Sequence, residues 1–174
     1  MQKKKKIVAF LSAVSIAIIV LIIIVGVQYF KSLGLKEEIN KAIGEKIKSE
    51  EIPGEALPHS IQYSNAVLGA IHYEVMSCDQ KNETAVISFS YVDAIALADQ
   101  YGESVENIDE FYIYCVDSIM SKTAPVITKE VQVQFALTEE IAQRTYVIQS
   151  SPELADVLTG GTFSEYLKLI GGAD

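Results

Sequence analysis

The sequence predicts an α+β domain carried behind an N-terminal transmembrane helix, and three observations predict it. Residues 7–30 form an apolar run without a charge. Beyond it, helical and strand spacings of apolar residues follow one another in blocks: helix, two strands, helices, two or more strands, helix. That order is not a parallel βαβ series. The strand blocks are joined by short polar turns, the pattern of antiparallel hairpins. No repeat of fixed period is visible. The boundaries read as a basic tail at 1–6, a signal anchor at 7–30, a juncture at 31–34 and an α+β domain at 35–174.

The anchor comes first. Ile7 to Phe30 is 24 residues rich in Ile, Val, Leu and Ala. At about 1.5 Å per residue it is long enough for a bilayer core of about 30 Å. A cleaved secretory signal has a shorter apolar region ending at small residues, whereas this run ends Val25-Gly26-Val27-Gln28-Tyr29-Phe30. No Cys lies near that end, which excludes a bacterial lipoprotein of the usual kind. Lys3, Lys4, Lys5 and Lys6 precede the run, and Lys31 and Lys36 stand beside Glu37 and Glu38 after it. By the positive-inside rule the lysine tail stays in the cytoplasm and the C-terminal domain lies outside, in a single pass.

The elements follow in order. Leu35, Ile39, Ile43 and Ile47, with Ala42 beside them, recur on one helix face over 35–51, which ends before Pro53-Gly54. Gln62 to Ala70 fits either strand or short helix. Ile71, Tyr73 and Val75 alternate with His72, Glu74 and Met76 as a strand, and Asp79 to Glu83 makes a polar turn. The second arm then places Ala85, Ile87, Phe89 and Tyr91 on one face. Asp93 to Gln100 favours a helix broken at Tyr101-Gly102, and Ser104 can cap another from Val105 to Lys122, with Ile108, Phe111, Tyr112, Cys115 and Ile119 inward. Val131, Val133, Phe135 and Leu137 alternate as a strand, Thr138-Glu139-Glu140 turns, and Arg144 to Ser150 returns. Ser151 as N-cap and Pro152 in the first turn open a further helix, interrupted at Gly160-Gly161, with Phe163 to Ile170 after it.

Composition removes several function classes. Residues 31–174 hold 10 basic and 23 acidic groups, a net of −13. Such a domain repels phosphate backbones, and no basic stripe interleaved with aromatics offsets that, so no nucleic-acid role is expected. Two Cys and two His are too few for a Cys/His metal cage or a haem motif. No metal and no cofactor is expected.

The leading helix and the paired strands ending in Ala85-Val86-Ile87-Ser88-Phe89-Ser90 and Asp93 resemble small cell-surface domains of unknown function from Gram-positive bacteria. So does the hairpin Val131–Ser150 leading into Glu153-Leu154-Ala155-Asp156-Val157-Leu158-Thr159-Gly160-Gly161. Those domains are similar to the cystatin-like, nuclear transport factor 2-like fold, in which a curved antiparallel sheet wraps a helix as a cone. The resemblance covers roughly residues 35–161. It implies no catalytic residues. The chain departs from it in lacking a Trp in the last hairpin, where Tyr146 is nearest, and in inserting helices at 93–122. A type IV pilin plan is disfavoured, because no Gly precedes the apolar run and no Glu sits near its start.

Candidate site residues are few. Cys78 and Cys115, both on the outer side, could form a disulfide or remain free thiols, with no base partner for a nucleophile. His72 and Glu74 share a strand face and, with His59, could make a weak metal or acid–base set, although a solvated face explains them as well. Glu103, Glu106, Asp109 and Glu110 begin a helix, where capping and solubility account for them. In a cone, Tyr73, Phe89, Tyr91, Phe111, Tyr112 and Phe135 could line an apolar pocket; they could equally be core. Asn82-Glu83-Thr84 is a glycosylation sequon in a turn.

The expectation is a single-pass protein of a Gram-positive cell membrane. Its extracytoplasmic domain would act as a non-enzymatic interaction or scaffold module, with partners in the membrane or envelope. The alternative is a carrier or sensor of a small apolar ligand held in the cone. A filled core with exposed apolar patches favours the first, and a tyrosine-lined cavity favours the second.

Overall fold

The computed structural model describes residues 32–102, 107–140 and 143–171. The tail at 1–6, the anchor at 7–30, Glu103, Ser104 and Glu106 lie outside the described residues. Among the described residues, no helix is long and apolar enough to cross a membrane. The chain divides into two units, Met1–Glu37 and Glu38–Asp174. The fold described below is that of the second.

Helix α1 occupies residues 32–50. Ser32-Leu33-Gly34 is therefore helical. Its stripe Ile39, Ala42, Ile43 and Ile47 is buried, as the i+4 spacing requires. α2 (His59–Gly69) settles the ambiguous segment as helix. It is followed by β1 (His72–Asp79), β2 (Thr84–Val92), α3 (Ala94–Tyr101), α4 (Ile108–Met120), β3 (Val126–Glu140), β4 (Gln143–Ile148), α5 (Pro152–Leu158) and α6 (Thr162–Gly171).

The four strands form one antiparallel sheet in the order β1-β2-β3-β4, so β1 and β4 are its edges. β3 is longer than its alternating core predicts, because its two halves serve different neighbours. Val126 to Gln134 pairs with Val92 to Thr84 of β2, and Phe135 to Glu140 pairs with Ile148 to Gln143 of β4. The turn between β1 and β2 forms as its polar letters predict: Asp79 Oδ1 accepts the Lys81 and Asn82 amides at 2.9 and 3.1 Å. Those bonds hold the Asp79 carboxyl below its ordinary pKa, the Asn82 amide being the largest cause.

Alternation decides which side of the sheet is core. Ala85, Ile87, Phe89 and Tyr91 of β2 are buried, and so are Val131, Val133 and Phe135 of β3. Leu137, next in that phase, is 41% exposed. Tyr73 meets Phe89 with ring centroids 6.3 Å apart, and its hydroxyl donates to the Asn40 carbonyl of α1 at 3.3 Å. Gly44 makes that approach possible, since a Cβ there would lie 2.7 Å from the Tyr73 Oη.

Side-chain caps set several helix ends. Asp93 Oδ1 accepts the Ala96 amide at 3.0 Å, and Ser151 Oγ accepts the Leu154 amide at 3.1 Å with Pro152 behind it. The described part of α4 is capped by Asn107, whose Oδ1 accepts the Asp109 amide. Ile108, assigned to the inner stripe of that helix, stands 54% exposed because it occupies the first turn.

Candidate functional site

A second apolar cluster lies at one end of the sheet: Val67 of α2, Val92 at the end of β2, Leu97 of α3, and Cys115 and Ile119 of α4. Aromatic rings bind the three helices together beside it. Tyr63 meets Tyr112 at 5.6 Å, Tyr101 meets Phe111 at 5.3 Å and Tyr114 at 5.2 Å, and Phe111 meets Tyr112 at 5.7 Å. Burial pushes the Cys115 thiol up to about 11. It pushes Tyr63 up to about 12, with smaller contributions from the neighbouring Cys115 and Tyr112.

Between these helices and the strand ends there is a cleft of about 600 Å³. Its walls come from five elements. α2 with the residue that caps it contributes Asn65, Ala66, Gly69 and Ala70; the strand ends contribute His72, Val92 and Val126; and the end of α4 with the loop after it contributes Ile119, Met120, Lys122 and Ala124. Met120 is 74% exposed and Val126 63%, so two large apolar side chains sit at the cleft in contact with solvent. The Asn65 amide is already engaged, donating to the Ile52 carbonyl at 2.8 Å and accepting its amide N–H at 3.1 Å. His72 and Lys122 are the ionisable side chains of the lining, and no carboxylate joins them.

The six aromatic residues assigned to a pocket inside the cone do not line this cleft. Phe89, Tyr91 and Phe135 are fully buried core. Tyr73 is tied to α1, while Phe111 and Tyr112 belong to the ring cluster between helices. The reason is packing: Phe135 meets Tyr146 edge-on at 5.4 Å and Phe89 meets Tyr73, so rings fill the space that a pocket would need.

No disulfide joins Cys78 and Cys115. Sheet register explains it. Met76 is a bulge residue in β1, because Val75 pairs with Ile87 but Ser77 pairs with Val86. The bulge resets the phase and brings Cys78 opposite Ala85, whereas Cys115 belongs to the cluster around Val92. Those two β2 positions are separated by seven residues, roughly 23 Å at about 3.3 Å each, against a Cα separation below about 7 Å for a disulfide.

His59 is paired with Asp109 of α4, Nδ1 to Oδ1 at 3.4 Å, while His72 lies at the cleft, so the two histidines serve different places. Among the described residues no cluster of His, Cys, Asp or Glu could hold a metal ion. Among the described residues the buried carboxylate is Asp156, which accepts the Ser164 amide of α6 at 2.9 Å and faces Lys129 at 3.7 Å. It joins helix to sheet and does not line the cleft. Sequence spacing missed the cleft altogether; the exposed apolar letters Met120 and Val126, either side of a Lys, were the available signal.

No family model, curated protein or solved structure matches the chain. What the cleft can do therefore rests on its own residues.

Proposed function

We propose that the protein is a single-pass, membrane-anchored module of a Gram-positive cell, with its α+β domain outside, working by binding to a membrane or envelope partner rather than by catalysis. The apolar run at 7–30 behind Lys3–Lys6 supports the anchor and its direction. A helix against an antiparallel sheet supports the cystatin-like plan, with α2, α3 and α4 as additions to it.

One observation carries the binding role: the interior is filled while large apolar side chains stand outside. Phe89, Phe135, Ile87 and Leu97 are fully buried. Met120 and Val126 at the cleft, and Tyr166, Leu169 and Ile170 on α6, are 57–83% exposed. Large apolar side chains left exposed in this way support an interaction role. The anchor also concentrates the domain at one surface, which raises effective concentration toward a partner in the same membrane.

The test is photo-cross-linking of the full chain in Gram-positive membranes, with a photoreactive residue in turn at Met120, Val126, Leu169 and, as a control on the polar face, Gln132. Discrete adducts from the first three and none from Gln132 are expected. No adduct from any apolar position, or equal adducts from Gln132, overturns the reading. External protease on intact protoplasts should remove the domain; protection would reverse the topology.

A further inference from the structure

We propose that the cleft between α2, the end of α4 and the strand ends is a binding site for a small amphipathic anion, an acyl chain ending in one negatively charged group. This goes beyond the interaction reading, because it assigns the domain a small-molecule ligand.

The first argument is shape and surface. About 600 Å³ lies within the range of small-ligand sites, roughly 300–1,000 Å³. Ala66, Ala70, Val92, Ile119 and Met120 present an apolar wall to a chain. That wall is too small-sided to close on itself, since Ala66, Gly69, Ala70 and Ala124 contribute little or no side chain.

Charge is the second argument. Residues 31–174 carry 23 acids and 10 bases, yet the lining holds Lys122 and His72 and no acid. Neither the Lys122 ammonium nor the His72 imidazole has an ion-pair partner among the described residues. The imidazole can donate a hydrogen bond in either protonation state. The C-terminus of α4 opposes an anion with a partial negative charge. Its carbonyls are occupied, however: Ser118 O accepts the Thr123 amide at 2.9 Å, Ile119 O the Lys122 amide at 3.0 Å, and Asp117 O the Ser121 hydroxyl at 2.7 Å.

Those bonds place Lys122 at the left-handed position that closes a helix, φ +60°, where glycine is the favoured residue. A lysine there is locally disfavoured, and this exposed lysine is one of the residues that line the cleft. That gives a clean probe, because Lys122→Gly removes the charge while relieving the backbone.

The experiment is equilibrium dialysis of radiolabelled octanoate against the full chain in phosphatidylcholine nanodiscs, with empty nanodiscs as blank and octan-1-ol and octylammonium as comparison probes. Saturable octanoate binding above the blank is expected, with octylammonium at the blank level. Lys122→Gly should weaken octanoate about tenfold or more, the size expected for losing one hydrogen bond to a charged group, with no loss of thermal stability. Met120→Glu, at an exposed position, should abolish it by placing a like charge at the cleft. Competition by phosphatidylglycerol in the disc would point to an anionic lipid as the natural source, and its absence to a free acyl acid. Octanoate at the blank level, equal uptake of octylammonium, or unchanged affinity in both variants overturns the proposal. Cross-linking from Leu169 reports separately, so a failed ligand site and a failed interaction role remain distinguishable.

Discussion

Gly160 should be far less replaceable than its neighbour Gly161, although both take left-handed backbone, φ +67° and +85°. The turn after α5 threads through a tight place. The Gly160 carbonyl accepts the Ala94 amide at the start of α3 at 2.9 Å, and its own amide donates to the Val157 carbonyl at 3.2 Å. A Cβ on Gly160 would meet Val92 O and Ala94 Cβ, both at 3.0 Å, and Val67 Cγ1 at 3.4 Å. A Cβ on Gly161 would meet nothing within 4 Å. An L-residue in this conformation costs about 1–2 kcal/mol, and both alanine variants incur it. Only Gly160→Ala adds a steric cost, about 1–3 kcal/mol for forcing volume into a packed site whose neighbours are backbone and Cβ atoms. The expectation is about 2–5 kcal/mol for Gly160→Ala and about 1–2 for Gly161→Ala. The first is a large part of the 5–15 kcal/mol typical of a whole domain. Urea unfolding of the full chain in mild detergent, followed by far-ultraviolet circular dichroism, measures it. At about 1–3 kcal/mol per molar urea, the Gly160→Ala midpoint should lie roughly 0.3–3 M below that of Gly161→Ala. Equal midpoints would refute the reasoning, since they would mean that Val92 and Ala94 move aside freely and the turn is not closely packed.

Three further outcomes follow from the same structure. Asp156→Ala leaves the Ser164 amide without its acceptor beside a buried site and should cost about 1–3 kcal/mol. Asp156→Asn keeps an acceptor oxygen and should cost less; equal losses in urea melts would shift the role to the half-exposed Lys129 pair. Cys115 should resist alkylation in the folded chain and react on unfolding, and denatured mass spectrometry without reductant should give the full mass, whereas a mass two hydrogens light would contradict the register that separates it from Cys78. High pH should destabilise the domain through Cys115 and Tyr63. Their folded pKa values lie above the ordinary 9.0 and 10.0, so burial of the neutral forms stabilises fully below about pH 9 and is lost as pH rises through about 11 and about 12. A urea midpoint that does not fall between pH 9 and 12 would refute this.

The local devices were legible in the sequence because each is made by residues a few positions apart. Asp93 and Ser151 read as helix starts, Asp79 to Asn82 as a turn, and Ala85, Ile87, Phe89 and Tyr91 as an inner strand face, and each forms as written. The stripe Ile39, Ile43 and Ile47 is buried for the same reason: helical period is set by backbone geometry. The candidate site was not legible. A single bulge at Met76 reversed the phase of Cys78, and a bulge depends on the partner strand, which period-two alternation cannot see. Whether six aromatic rings line a cavity or fill it depends on what faces them; Tyr146 from β4 and Asn40 from α1 decided that for Phe135 and Tyr73.

By itself, then, the sequence determined the order of most elements, the acidic charge of residues 31–174 and the apolar run that precedes them, all of which are sums or periods along the chain; the type of Gln62 to Ala70 and the end of β3 at Glu140 waited on the tertiary structure. Only the tertiary structure decided where a ligand could go. Asn65, His72, Val92, Met120, Lys122 and Val126 come from α2, three strand ends and the end of α4, and they share a cleft because antiparallel pairing brings the start of β1, the end of β2 and the start of β3 to one end of the sheet.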